Sequence, residues 1–197
     1  MSRIGIFGGT FDPPHNAHVA LARTACEELS LDAVRWIPAG APWQKSRRIT
    51  AAEHRAAMVK LAIRGEPRFL LDRREIERSG PSYTLDTVRE LGAEFPGTAW
   101  FLIIGQDQYV GLPTWRDWTE LLGRVTLAVA QRPGTHAETP EPLRAFVHRK
   151  VGLAMMDISS TDIRSRASRG HDISALVPPA VARYIAQHHL YKEPHGN

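Results

Sequence analysis

Residues Gly8-Gly9-Thr10-Phe11-Asp12-Pro13-Pro14-His15-Asn16-Ala17-His18 place two glycines, two prolines and two histidines within eleven positions. Adjacent glycines let the backbone turn sharply and approach a ligand closely, exposing N–H groups to an anion. His15 and His18 are three apart at the start of an expected helix, so they share one face. There the helix dipole and unpaired N–H groups already favour phosphate. A neutral imidazole donates a hydrogen bond to phosphate, and near its ordinary pKa of ~6.5 it can also carry charge. A Gly-Pro turn with a surface histidine would account for either imidazole alone. The whole pattern points to phosphate. No G-x-G-x-x-G follows the first strand and no G-x-x-x-x-G-K-[ST] occurs anywhere, so a nicotinamide dehydrogenase or a P-loop ATPase is not supported.

A second constellation lies near the other end of the chain, at Ile158-Ser159-Ser160-Thr161-Asp162-Ile163-Arg164-Ser165-Arg166. Ser159 and Asp162 have capping-box spacing, and a hydroxyl-rich cap leading a helix offers N–H donors to phosphate. Arg164 adds a fixed cation with a planar fork. Taken alone, the segment reads equally as an ordinary capped surface helix.

The elements that must carry these residues alternate in type. Strand-like runs are expected at Arg3–Phe7, Ala33–Ile37, Phe69–Asp72, Ala99–Ile104, Val125–Ala130 and Leu153–Met156. Helices are expected at Asn16–Leu29, from a Thr50/Glu53 capping box to Arg64, at Thr84–Phe95, Thr114–Leu122, Thr161–Ser168 and Pro179–His188. This alternation predicts a Rossmann-like, doubly wound parallel sheet with helices on both faces. Residues 1–197 are expected to form one α/β domain with a small C-terminal helical part, its two phosphate motifs at 8–18 and 158–166. Ligands of such sheets bind beyond the carboxyl ends of the strands, where the unusual residues of this chain cluster. The Pro-, Thr- and Glu-rich stretch Arg132–Pro142 is the expected variable loop.

Composition narrows the classes further. The formal net charge of +4 and a pI near 9.6 suit a protein that handles anions, but no block of five or six cations suggests a nucleic-acid-binding tail. No apolar run approaches the ~18 residues of a membrane span. Cys26 is the only cysteine, which excludes an internal disulfide and a cysteine-based zinc site. A strand-like run at Arg3–Phe7 leaves no room for a signal segment. A cytoplasmic protein is expected, with no membrane and no nucleic acid among its partners.

Gly8–His18 resembles the G-G-T-F-D-P-x-H-x-G-H segment of the nucleotidylyltransferase superfamily that carries the H/T-x-G-H motif, with Ala17 in place of the usual glycine. Ile158–Arg166 resembles its I-S-S-T-x-I-R motif. Ser82-Tyr83-Thr84, Gly105-Gln106-Asp107, Leu112-Pro113-Thr114-Trp115-Arg116-Asp117-Trp118, the stretch Pro38–Lys45 and Leu176-Val177-Pro178 are similar to bacterial nicotinate-nucleotide adenylyltransferases, from about Arg3 to Tyr191. The resemblance implies ATP and nicotinate mononucleotide as ligands, with Mg²⁺ arriving on the ATP and no metal ligands of the protein's own. It implies His15, His18, Lys45 and Arg164 as catalytic residues. ATP would meet Gly8, Gly9, Thr10, Phe11, His18, Gly105, Asp107, Ser159, Ser160, Thr161 and Arg164. The nicotinate nucleotide would meet Asp12, Lys45, Tyr83, Thr84, Trp115 and Arg116. Trp115 is expected to stack on the cationic pyridinium ring, and Trp118, at helical spacing from it, to pack in the core. Many family members have P-P-H-[KR] where this chain reads Ala41-Pro42-Trp43-Gln44-Lys45. Pantetheine-phosphate adenylyltransferases share the two ATP motifs without the S-Y-T and L-P-x-W segments, and a non-catalytic nucleotide or nucleic-acid binder is the remaining alternative.

Overall fold

The computed structural model describes residues 1–41, 49–131, 139–152 and 156–192. Apolar, β-branched runs form strands β1 (Arg3–Gly9), β2 (Ala33–Pro38), β3 (Phe69–Leu71), β4 (Ala99–Ile104), β5 (Thr126–Gln131) and β6 (His148–Gly152). All five neighbouring pairs are parallel, in the order β3-β2-β1-β4-β5-β6. β4 is buried at five of its six positions, as a strand covered on both faces should be.

The helices are α1 (Asn16–Glu28), α2 (Ala52–Ala62), α3 (Arg74–Glu77), α4 (Thr84–Glu94), α5 (Gln106–Gly111), α6 (Trp118–Leu122), α7 (Ser160–Ser168) and α8 (Pro179–Gln187). Ala22, Ala25 and Cys26 of α1 and Val59 of α2 pack with Phe7, Val34 and Trp36 on one side of the sheet. On the other side, Leu85, Val88 and Leu91 of α4 and Leu121 of α6 pack with Ile6, Leu102 and Val129. The final helices close a third cluster with α2, through Met58, Ile163, Val177 and Val181. Helices therefore cover both faces of a doubly wound sheet. The chain runs outward from β1 to β3, then returns to the other side of β1 as β4. That reversal opens a crevice at the carboxyl ends of β1 and β4.

Four local expectations need correction. The last strand lies at His148–Gly152 rather than Leu153–Met156, whose first three residues fall outside the described ones. Arg149 and Lys150 are exposed on this edge strand, so its apolar signal is weak. Thr50 does not cap α2: Ala51 takes that position, and the Thr50 N–H points at the Asp12 carboxylate, 3.4 Å away. The helix expected over Thr114–Leu122 is broken into a short 3-10 turn at Leu112–Thr114 and α6, with Asp117 left-handed (φ 48°) between them. Trp115 and Trp118 therefore do not share a helix. The short helices α3 and α5 were not expected. Ala17 sits inside α1, where a methyl group is as comfortable as a hydrogen.

Candidate active site

A cleft of about 750 Å³ opens at the switch between β1 and β4, lined by Gly8–Asp12, His15, His18, Tyr83, Thr84, Trp115, Ser160 and Arg164 among others. The two distant motifs are bonded to each other at its wall. Ser160 Oγ donates to the Pro13 carbonyl (2.9 Å), and Arg164 Nη1 donates to the Asp12 carbonyl (2.8 Å). Arg164 Nη2 also reaches Thr161 Oγ1 at 3.1 Å, which steers the guanidinium along the start of α7. The Asn16 N–H and side-chain amide donate to the Leu176 and Ala175 carbonyls, each at 3.0 Å. Ser159 caps α7 by accepting from the Asp162 N–H at 3.1 Å, as its spacing implied. It is exposed and does not line the cleft.

His15 is the N-cap of α1, and its ring stacks on that of His18 with centroids 3.6 Å apart. The His15 N–H donates to His18 Nδ1 at 3.2 Å. A neutral His18 must then carry its proton on Nε2. Burial pushes the His15 pKa down to about 4. Burial, with His15 beside it, also holds His18 well below the usual histidine range. The expectation that these rings can carry charge near neutral pH is thus corrected for the free protein. Both rings are neutral hydrogen-bonding groups there.

Phe11 turns inward at φ 49° and is buried between Trp36 and Phe7, with ring centroids 5.3 and 5.5 Å away. A side chain at Gly9 would press on the Phe11 ring at 3.1 Å, whereas one at Gly8 would enter open space. The loop can therefore present its backbone to a ligand. Asp12 is 1% exposed, and its carboxylate accepts from Tyr191 Oη at 2.8 Å.

Across the cleft, Tyr83 is the N-cap of α4 and Thr84 its first residue. The Arg116 guanidinium lies over the Tyr83 ring at 4.9 Å and pairs with Asp117 at 3.5 Å. Trp115 is half-buried and faces the cleft, while Trp118 packs edge-on against Phe146 at 5.5 Å. Gly105 caps α5 and Asp107 is exposed in its first turn, both on the cleft wall. Lys45, Gln44 and Trp43 lie outside the described residues.

Comparison with known proteins gives the family and the fold. Residues 6–166 match the cytidylyltransferase-like family model. A protein of Methylibium petroleiphilum named "Probable nicotinate-nucleotide adenylyltransferase" is 55% identical over 98% of this chain and 94% of its own length. One of the same name from Bordetella petrii is 46% identical over 98% of this chain and its full length (100%). The chain belongs to the nicotinate-nucleotide adenylyltransferase family. Its fold is also that of the Plasmodium falciparum nicotinic acid mononucleotide adenylyltransferase complexed with NaAD, with a TM-score of 0.81 at 19% identity over 97% of this chain and 98% of that one.

Three residues of this family member were not anticipated. Arg55 is 1% exposed and donates to the carbonyls of Thr10, Thr50 and Gly40 at 2.9, 2.9 and 3.2 Å. Tyr191 holds Asp12, and burial together with that carboxylate raises its pKa. Glu75 is buried in the cleft wall, accepts from Thr87 Oγ1 at 2.7 Å, and has its pKa raised by burial. A side-chain hydrogen bond also ties it to Ser82, whose Oγ accepts from the Gly40 and Ala41 N–H groups at 3.0 and 3.2 Å. The signal for Arg55 would have been a cation on the apolar face of α2, among Met58, Val59 and Ala62.

Proposed function

We propose that this protein transfers the adenylyl group of ATP to nicotinate mononucleotide, forming nicotinate adenine dinucleotide and pyrophosphate. The observation that carries the reading is the bonding of Ser160 and Arg164 to the loop at Asp12 and Pro13, which brings both phosphate motifs to one cleft. ATP lies with its phosphates against the Gly8–His18 loop and the N-terminus of α7. An oxygen of the acceptor 5′-phosphate attacks the α-phosphorus in line. The bond from that phosphorus to the α,β-bridging oxygen breaks, and pyrophosphate leaves with the electron pair. The nucleophile belongs to the substrate, so the protein contributes positioning and charge stabilisation. His18 Nε2–H and the Arg164 fork donate to phosphate oxygens as negative charge shifts toward the leaving group. Lys45 is assigned to the acceptor phosphate.

The acceptor's carboxylate suits the N-terminus of α4, where the first N–H groups have no partner within the helix. Trp115 supplies a face for the pyridinium ring. Of the acidic residues lining the cleft, Asp12 and Glu75 are buried and hydrogen-bonded, whereas Asp107 is exposed. This distribution fits a divalent ion held mainly by phosphate oxygens, and Mg²⁺ arriving on ATP would supply neutralising charge there. Incubation with ATP, Mg²⁺ and either nicotinate or nicotinamide mononucleotide, read by mass, tests the assignment. The deamido dinucleotide is expected as the main product; formation of neither dinucleotide would overturn it.

A further inference from the structure

The buried Arg55 touches three separate stretches of chain. Nη1 holds the Thr10 carbonyl (2.9 Å) in the phosphate loop, Nη2 the Gly40 carbonyl (3.2 Å) beyond β2, and Nε the Thr50 carbonyl (2.9 Å) ahead of α2. Arg55 is not part of the cleft lining. A guanidinium presents its donors in one rigid plane, so these carbonyls are held at fixed separations. At 1% exposure, bulk water cannot readily take over a donor that loses its acceptor. The carbonyls at Gly40 and Thr50 bracket the stretch of sequence containing Lys45. Gly40 itself packs so closely on the Glu75 backbone that a Cβ there would collide with the Glu75 carbonyl oxygen.

We propose that Arg55 is a positioning residue that couples the nucleotide side of the cleft to the acceptor side, fixing the approach of the two reacting phosphates without touching either. The proposal rests on the assignment of ATP to the Gly8–His18 loop and of the acceptor to the opposite wall. It makes the two substrate sites mechanically dependent, through a group that contributes to neither pocket. A lysine at this position would keep the charge and lose the fork.

The test is Arg55→Lys in the full chain, measured for kcat and for the Kd of each substrate alone. The expected result is a fall in kcat on the order of 10²-fold, the scale of a misplacement of about 1 Å, with both Kd values unchanged. A wild-type kcat accompanied only by a lower Tm overturns the proposal. Hydrogen exchange on the unaltered protein with ATP and Mg²⁺ decides the matter should the variant not fold. Slowed exchange at residues 8–18 together with Gly40 and Ala41, whose N–H groups bond to Ser82 and not to the loop, supports the coupling. Protection confined to 8–18 overturns it. Absence of protection at 8–18 overturns the ATP assignment, and the coupling with it.

Discussion

The two sides of the cleft are built on different plans. On the nucleotide side, Ser160 and Arg164 bond to backbone carbonyls 147 and 152 residues away in sequence, and Tyr191 reaches Asp12 across 179. The acceptor side is assembled from nearer neighbours: Ser82 meets Gly40 across 42 residues and Glu75 meets Thr87 across 12. Its helix α3 has only four residues. The difference teaches that the proposed phosphate cradle depends on closure of the whole fold. The opposite wall is a local assembly, which can be altered without disturbing the sheet. Substitutions on the nucleotide side should therefore damage turnover or stability, and those across the cleft should act on acceptor affinity.

His18→Ala tests that contrast most severely. Loss of a preorganised donor should lower kcat by ~10²-fold or more, and near wild-type turnover would remove His18 from the chemistry. Stability against pH comes next. His15 is held neutral, with its pKa pushed down to about 4 by burial. The unfolded chain therefore binds a proton that the folded one refuses, and the folded state loses ground as pH falls from about 6.5 toward 4. Over that window His15 alone should cost about 3 kcal/mol, with His18 adding in the same direction. Urea unfolding at neutral pH and near pH 4 measures the loss, and His15→Asn should flatten it. An equally steep slope in that variant would place the acid lability elsewhere.

Tyr191→Phe should destabilise by about 2 kcal/mol, since a buried carboxylate loses a hydrogen-bond donor. Chemical denaturation reads this directly, and an unchanged midpoint would show that the terminal segment does not tension the phosphate loop. Ser82→Ala is the mildest variant. It should raise the acceptor KM by roughly tenfold, the order expected for leaving one hydrogen-bonding group unpaired, while the ATP KM stays unchanged. A rise in both would show that the two walls share ligand binding as well as the alignment held by Arg55.

The nucleotide side was readable in advance because each part of it is a contiguous string of residues with its own local logic. Gly8–His18 had to be a turn entering a helix, and Ser159 had to cap one; both are so. The sheet followed from apolar runs that burial makes conspicuous, as at Trp100–Ile104. What escaped is equally instructive. Thr50 looked like a cap because its spacing to Glu53 was right, but Arg55 and Asp12, invisible to a local pattern, claim its carbonyl and its N–H. Helices α3 and α5 are too short for a periodicity to show. Strand β6 hides behind the exposed charges of Arg149 and Lys150. Arg55 itself reads as one more surface cation unless its place on the apolar face of α2, beside Met58, Val59 and Ala62, is weighed.

The stacked imidazoles carry an operational consequence. With His15 depressed to about 4 and His18 also low, neither ring of the free enzyme exchanges a proton across the ordinary range of cellular acidity. The proposed phosphate grip thus holds one protonation state whether the surrounding fluid drifts acid or alkaline. Any sag in kcat/KM on mild acidification should then trace to groups other than these two imidazoles, the second ionisation of the incoming mononucleotide's phosphate at a pKa of ~6 among them.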